Sequence, residues 1–373
     1  MRKVLVLAVM VVAIAGLQRN ALASDWNMPV GVTEISRSVY SLHMLIFWIC
    51  VVIGVVVFGA MFYSLFRYRR SKGAKAAHFH EHTTVEVFWT TIPLLILVAM
   101  AVPATATLKE MYDTSESDLD VLITGHQWRW QYEYLGEGVS FFSNLSTPSA
   151  QIEGEAPKDE HYLLEVDQPL VLPVDRKVRF LTTSADVIHS WWVPAFAVKK
   201  DAMPGFINEA WTRIEEPGIY RGQCAELCGR NHGFMPVVVH AMEQDDFDAW
   251  LAERKQQAAS AANSVDREWK MDELMAQGEK VYSTICAACH QAEGQGLPPT
   301  FPALAGNQAL MDDLEKHIGV VLNGVSETAM PAFSGTLNPV DIAAVITYER
   351  NAWGNETGDV IQPSDIQARL SSE

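Results

Sequence analysis

Three regimes of hydropathy succeed one another along the chain. It opens Met1-Arg2-Lys3, runs apolar from Val4 to Leu17 and closes at Ala21-Leu22-Ala23-Ser24. A basic start, a short apolar core and a small-x-small end predict a secretory signal over residues 1–23, cleaved after Ala23, with an uncleaved anchor as the alternative. Two longer apolar runs follow, at about 40–66 and about 87–107. Each reaches the roughly 20 residues with which a helix crosses the hydrocarbon layer, so residues 24–114 are predicted to form a two-helix transmembrane hairpin. Between the runs lie Arg67, Arg69, Arg70, Lys72 and Lys75, whereas Asp25, Glu34, Asp113, Glu116, Asp118 and Asp120 flank them. The excess of cations puts that loop in the cytoplasm and everything after Leu108 outside.

From 115 to 245 the long apolar runs give way to alternation, as in Leu119-Asp120-Val121-Leu122-Ile123-Thr124 and Val178-Arg179-Phe180-Leu181-Thr182. Short period-two segments punctuated by Gly and Pro predict an antiparallel β-sandwich. Residues 246–271 are polar, rich in Ala and contain Glu and Lys, the composition of a partly helical linker. A last segment, 272–356, opens with a helix through Gly278 and Tyr282 and closes with one over Val340 to Asn351, and 357–373 form a tail. The fold class is therefore multidomain: membrane hairpin, all-β sandwich, all-α domain.

With 373 residues the chain is too long for one ordinary domain. A net charge of −17 argues against nucleic acid and leaves room for a basic protein partner. Its five cysteines fall as one singleton, Cys50, and two close pairs with a histidine near each, which reads as cofactor sites before a disulfide framework.

The first pair lies in Gln223-Cys224-Ala225-Glu226-Leu227-Cys228-Gly229-Arg230-Asn231-His232-Gly233-Phe234-Met235. Thiolate, imidazole and thioether are the ligand mix that selects copper over hard cations. One cysteine suffices for a single copper; the second lets two coppers share both sulfurs, with the upstream His189 on one and His232 on the other. A structural zinc site and a Cys224–Cys228 disulfide remain open on these residues alone, although neither uses Met235. The second pair, Cys286-Ala287-Ala288-Cys289-His290, is the c-type haem attachment pattern. Met330 follows where a second axial ligand is expected, with Met311, inside a helical pattern, as the weaker candidate. In the hairpin, His78, His80 and His82 read as a solvated turn and Cys50 as a small apolar packing residue. Glu86, at the membrane border of the second span, is a functional candidate by its depth.

The pattern Cys224-x-Glu226-x-Cys228-x-x-x-His232-x-x-Met235 resembles the CuA loop of cytochrome c oxidase subunit II. That resemblance implies a cupredoxin-like sandwich with Cys224 and Cys228 as bridging thiolates and His189 and His232 as terminal ligands. Met235 is implied as a weak axial ligand and the Glu226 backbone carbonyl as a further one. The Glu226 side chain is implied in a magnesium site shared with the catalytic subunit, and Glu86 at the mouth of a proton path. Gly125-His126-Gln127-Trp128-Arg129-Trp130 resembles the family's aromatic segment, which implies that Trp128 accepts electrons from a cytochrome c. Trp130 is expected to fill the core, and Trp128, with His126, is expected on the opposite face. The segment 272–355 resembles a class I cytochrome c, with Cys286, Cys289, His290 and Met330 as its haem ligands. The order of parts resembles a caa3-type subunit II. The implied function is electron input to a proton-pumping terminal oxidase of a bacterial inner membrane, from cytochrome c through haem c and the dinuclear CuA centre to the catalytic subunit that reduces oxygen to water. Its implied partners are catalytic subunit I, subunit III and a soluble cytochrome c, with the redox domains on the periplasmic side. A free-standing membrane-anchored electron carrier and a copper-delivery or zinc protein are the alternatives of other classes.

Overall fold

The computed structural model describes residues 27–75, 80–325, 328, 330–334 and 337–371. The signal expected over 1–23 and His78 lie outside them. Helix α1 (Glu34–Arg67) and helix α2 (Thr83–Met111) form the hairpin, each longer than its apolar core. The extra turns are amphiphilic ends. Thr33 caps α1 by accepting from the Ser36 amide at 3.0 Å, and its hydroxyl donates to the Phe196 carbonyl at 3.2 Å, tying the start of the span to the sandwich. Arg37 adds an ion pair to Glu215. The apolar side chains between these ends are exposed along both helices, Cys50 among them, as suits lipid or partner subunits.

Ten strands follow: β1 (Leu119–His126), β2 (Arg129–Tyr134), β3 (Val139–Ser143), β4 (Leu170–Pro173), β5 (Val178–Ser184), β6 (His189–Val193), β7 (Val198–Ala202), β8 (Asn208–Thr212), β9 (Gly218–Cys224) and β10 (Pro236–Met242). They make two five-stranded sheets in the orders β3-β2-β1-β5-β8 and β4-β10-β9-β6-β7. The sandwich is mixed where an antiparallel one was expected: β1 pairs parallel with β5, and β10 with β4. Alternation reports only which face is buried, which is the same for either direction of the neighbour. Between the sheets Trp130, Tyr132, Tyr134, Phe180 and Trp191 are fully buried.

The polar stretch after β10 begins as a helix, α3 (Gln244–Asn263). Its Phe247 and Leu251 enter the sandwich core, and Trp250 packs on Tyr134 at 5.3 Å between ring centroids. Beyond it, α4 (Met271–Val281) crosses α7 (Pro339–Asn351), with α5 (Ala287–His290), α6 (Leu314–Asn323) and α8 (Pro363–Leu370) around them. The crossing is close because of Gly278, where a Cβ would lie 2.2 Å from the Ala344 carbonyl oxygen. Leu274, Ile342, Ala343 and Ile346 are fully buried there. One residue of the sandwich, Phe142 on β3, belongs to the hydrophobic cluster of this helical domain, so the two domains share a packed border.

Candidate metal centre and haem attachment site

The donor atoms of the first site come from two parts of the β4-β10-β9-β6-β7 sheet. His189 opens β6; Cys224 closes β9; the loop after it returns through a short turn at His232–Phe234 to β10. The Cys224 and Cys228 sulfurs are 3.8 Å apart, both free, well beyond the about 2.05 Å of a disulfide. His189 Nδ1 lies 3.9 Å from Cys224 Sγ, His232 Nδ1 3.5 Å from Cys228 Sγ, and Met235 Sδ 3.6 Å from Cys228 Sγ. The Glu226 carbonyl points in as well, 3.4 Å from Cys224 Sγ, while its side chain is exposed. Two thiolates flanked by an imidazole on each side, with a thioether and a carbonyl, fit a pair of soft metal ions and leave no donor idle.

Several supports of this cluster were not anticipated. Asp186, three residues before His189, takes its Nε2 at 2.8 Å, so Nδ1 is the nitrogen left to face the sulfurs. Burial pushes the His189 pKa down, but the bonds to Asp186 and Cys224 outweigh it and the net shift is upward. Burial likewise raises Asp186, and the bond from His189 with two backbone amides more than reverses it. The hydrogen bond from Cys228, then that with His189, draws Cys224 down to about 3, while the same sharing of one proton pushes Cys228 up. Trp130 does more than fill the core: its indole donates to the Met235 carbonyl at 3.2 Å and its ring meets His189 edge-on at 5.9 Å. Gly125 on β1 has no room for a side chain, since a Cβ would lie 2.7 Å from the His189 ring. The signals existed in Asp186-x-x-His189 and in the glycine within a β-branched strand, but only the fold connects them.

Trp128 belongs to the two-residue turn joining β1 to β2 and not to a strand, so alternation does not carry across it. Its indole donates to the Cys228 carbonyl at 3.1 Å, and the Gln127 side chain donates to the same oxygen at 2.8 Å. His126 does not share its face. It is buried against Phe142, bonded to Gln131 at 3.1 Å, and lowered to about 4 by burial and then by the charge of Arg129.

In the helical domain, Cys286 ends a wide helical turn over Tyr282–Cys286, and Cys289 and His290 lie in α5. Both thiols are free and are pushed up first by burial, which leaves them neutral. His290 is buried, and its Nδ1 meets the Pro302 carbonyl at 2.9 Å, which fixes the ring and leaves Nε2 for an axial bond. Met330 packs, half-buried, on the same core; Met311 is buried, and its carbonyl is taken by Arg350 at 2.6 Å. This arrangement of tethers, fixed imidazole and apolar wall fits a covalent haem c. Glu86 sits in the first turn of α2 and accepts from the His82 amide at 3.2 Å, while the His82 ring accepts from the Val85 amide.

Residues 119–242 match the family described as cytochrome C oxidase subunit II, periplasmic domain, and residues 21–106 its transmembrane domain. Over 232 residues, 62% of this chain and 72% of the relative, the sequence is 38% identical to a probable cytochrome c oxidase subunit 2 of Rickettsia felis. The chain belongs to the cytochrome c oxidase subunit II family. A subunit 2 of Cereibacter sphaeroides is 35% identical over 60% of this chain and 78% of its own length. One from Arabidopsis thaliana is 37% identical over 62% and 90%. Residues 273–348 match a third family, described as cytochrome C oxidase, cbb3-type, subunit III, so this subunit II carries a fused cytochrome c domain. It is a membrane-anchored, electron-input subunit of a haem-copper oxidase, with periplasmic domains that take copper and haem c.

Proposed function

We propose that this subunit receives electrons from a soluble cytochrome c and passes them to catalytic subunit I, which reduces oxygen to water with proton pumping in a bacterial inner membrane, with subunit III as a further partner. The observation that carries the reading is the convergence of His189, Cys224, Cys228, His232, Met235 and the Glu226 carbonyl on one small volume. A dinuclear CuA centre bound there and a haem c on Cys286, Cys289, His290 and Met330 would supply two one-electron redox sites. The chain's own work is to hold and insulate them. Asp186 fixes the tautomer of His189, the hydrogen bond from Cys228 favours the ligating thiolate form of Cys224, and the buried Trp130 keeps water from the inner side. Trp128 covers the loop at Cys228 and is the residue through which electrons are accepted. Magnesium shared with the catalytic subunit would take the Glu226 carboxylate, a reading supported by its exposure beside Leu227. Glu86 serves the mouth of a proton path while also capping α2.

Isolation through an affinity tag on this chain tests the proposal. The expected product is a complex with an oxygen-reducing subunit and cyanide-sensitive oxygen uptake driven by reduced cytochrome c. A chain that isolates alone, with full cofactors and no oxygen uptake, would instead be a free-standing electron carrier.

A further inference from the structure

Arg129, the first residue of β2, is 5% exposed, yet it forms no ion pair with any carboxylate among the described residues. Its guanidinium lies over the Phe142 ring at 4.4 Å and 6.0 Å from that of Phe333 in the helical domain. Nη1 donates to the Ile285 carbonyl at 2.8 Å, and Nε has no hydrogen-bond partner. The opposed residue on β1, His126, is neutral near pH 7 because burial and Arg129 lower it to about 4. Burial dominates over the Coulombic pull of Asp186, the carboxylate that acts on Arg129, so a cation held this way without a direct ion pair is expensive. Packing alone would be served as well by an apolar side chain of the same length.

The position explains the charge. Ile285 is joined by one peptide bond to Cys286, and Trp128, joined by one peptide bond to Arg129, donates its indole N–H to the Cys228 carbonyl at 3.1 Å. Two consecutive residues therefore run from the backbone of a haem tether to the backbone of a copper ligand, with a hydrogen bond at each end and covalent bonds between. We propose that Trp128–Arg129 is the link between the two redox sites of this fused subunit, with Arg129 as the positioning residue that docks the haem-bearing segment on the sandwich and holds a fixed positive charge beside it. The inference rests on the reading of Cys286 and Cys289 as haem tethers and of Cys224 and Cys228 as copper ligands. With both groups bound, each passage along the link would carry one electron and no proton, from ferrous haem c, left ferric, to the oxidised copper pair, reduced by one. A fixed cation beside the haem opposes the extra positive charge of the ferric state, so it raises the reduction potential.

The test compares the full-length protein, loaded with haem and copper, with R129Q and R129K. R129Q is expected to keep covalent haem and copper and to lower the haem c midpoint potential; although a lower donor potential by itself favours transfer, loss of the docked contact is expected to slow haem-to-copper transfer, followed by flash-induced absorbance changes, on the order of tenfold. R129K, which keeps the charge without the fork, is expected to retain the potential and recover only part of the rate. An R129Q protein with the wild-type potential and rate overturns the inference, as does an R129K protein whose potential falls as far as that of R129Q. Should R129Q fail to accumulate, the R129K potential and rate decide alone: an unchanged rate overturns the link. Failure of the underlying reading looks different, because the wild-type protein itself would then lack a dinuclear copper signal or covalent haem.

Discussion

In the sandwich, the donor atoms arrive from β6, from the end of β9 and from the loop that follows, and they are held from behind by β1 and β2. In the helical domain, Cys286, Cys289 and His290 come from five consecutive residues, and one outside contact, the Pro302 carbonyl, aligns the imidazole. The first site is made by the scaffold and stands assembled as a cluster of donors; the second is made by local sequence and becomes a site through a covalent tether. Damage far away in sequence should therefore harm the copper site more than the haem site. Arg129 sits where the two candidate sites meet, on a strand beside the donor cluster and against the carbonyl of Ile285, next to Cys286.

Four substitutions would break or sharpen that contrast. The largest effect is expected of Cys224→Ser, which removes a shared sulfur: copper should be lost outright while covalent haem is retained, measured by metal analysis and the haem spectrum. Copper retained at two per chain would mean that the sulfur is not shared. Met330→Ala should abolish the absorption band of sulfur ligation to ferric haem and leave both thioethers and the copper untouched; loss of the band in Met311→Ala instead would move the axial ligand. Gly125→Ala, some 60 residues from His189, should destabilise the sandwich by about 1–3 kcal/mol and weaken copper binding, because its Cβ meets the His189 ring at 2.7 Å. Thermal unfolding and copper titration read this directly, and an unaffected protein would show that the strand yields freely.

The smallest effect concerns pH. The Arg179 hydrogen bond holds Asp120 below its usual pKa, ahead of the opposing effect of burial. A depressed carboxylate contributes stability that is complete above its unfolded pKa, near 4, and is lost as pH falls through the lower folded value. Asp120→Asn should thus lower stability at neutral pH by under about 1 kcal/mol and flatten the acid limb of the stability curve. An acid limb identical to wild type would show that the pair is not coupled to folding.

How much could be read from residues alone follows the same division. Cys286-Ala287-Ala288-Cys289-His290 carries its own pattern, and the loop from Cys224 to Met235 carries five of the proposed copper donors, so both candidate sites could be marked from sequence. The apolar runs announced α1 and α2, though the polar turns that lengthen them did not register as span. Parallel pairing of β1 with β5 was invisible, because a strand buried on one face reads the same whichever way its neighbour runs. Asp186, Gly125, the second task of Trp130 and the contact from Arg129 to Ile285 were hidden for a single reason. Each acts across a distance in sequence that only the folded chain closes.

The central claim is that two thiolates, two imidazoles and a thioether in this sandwich hold a shared copper pair beside a covalent haem. Electron paramagnetic resonance of the intact purified subunit, with copper and haem counted on the same sample, tests it most directly. The account predicts two coppers per chain, a seven-line or unusually narrow mixed-valence signal, and one covalent haem. Zinc, a single copper with an ordinary four-line signal, or a Cys224–Cys228 disulfide would contradict it.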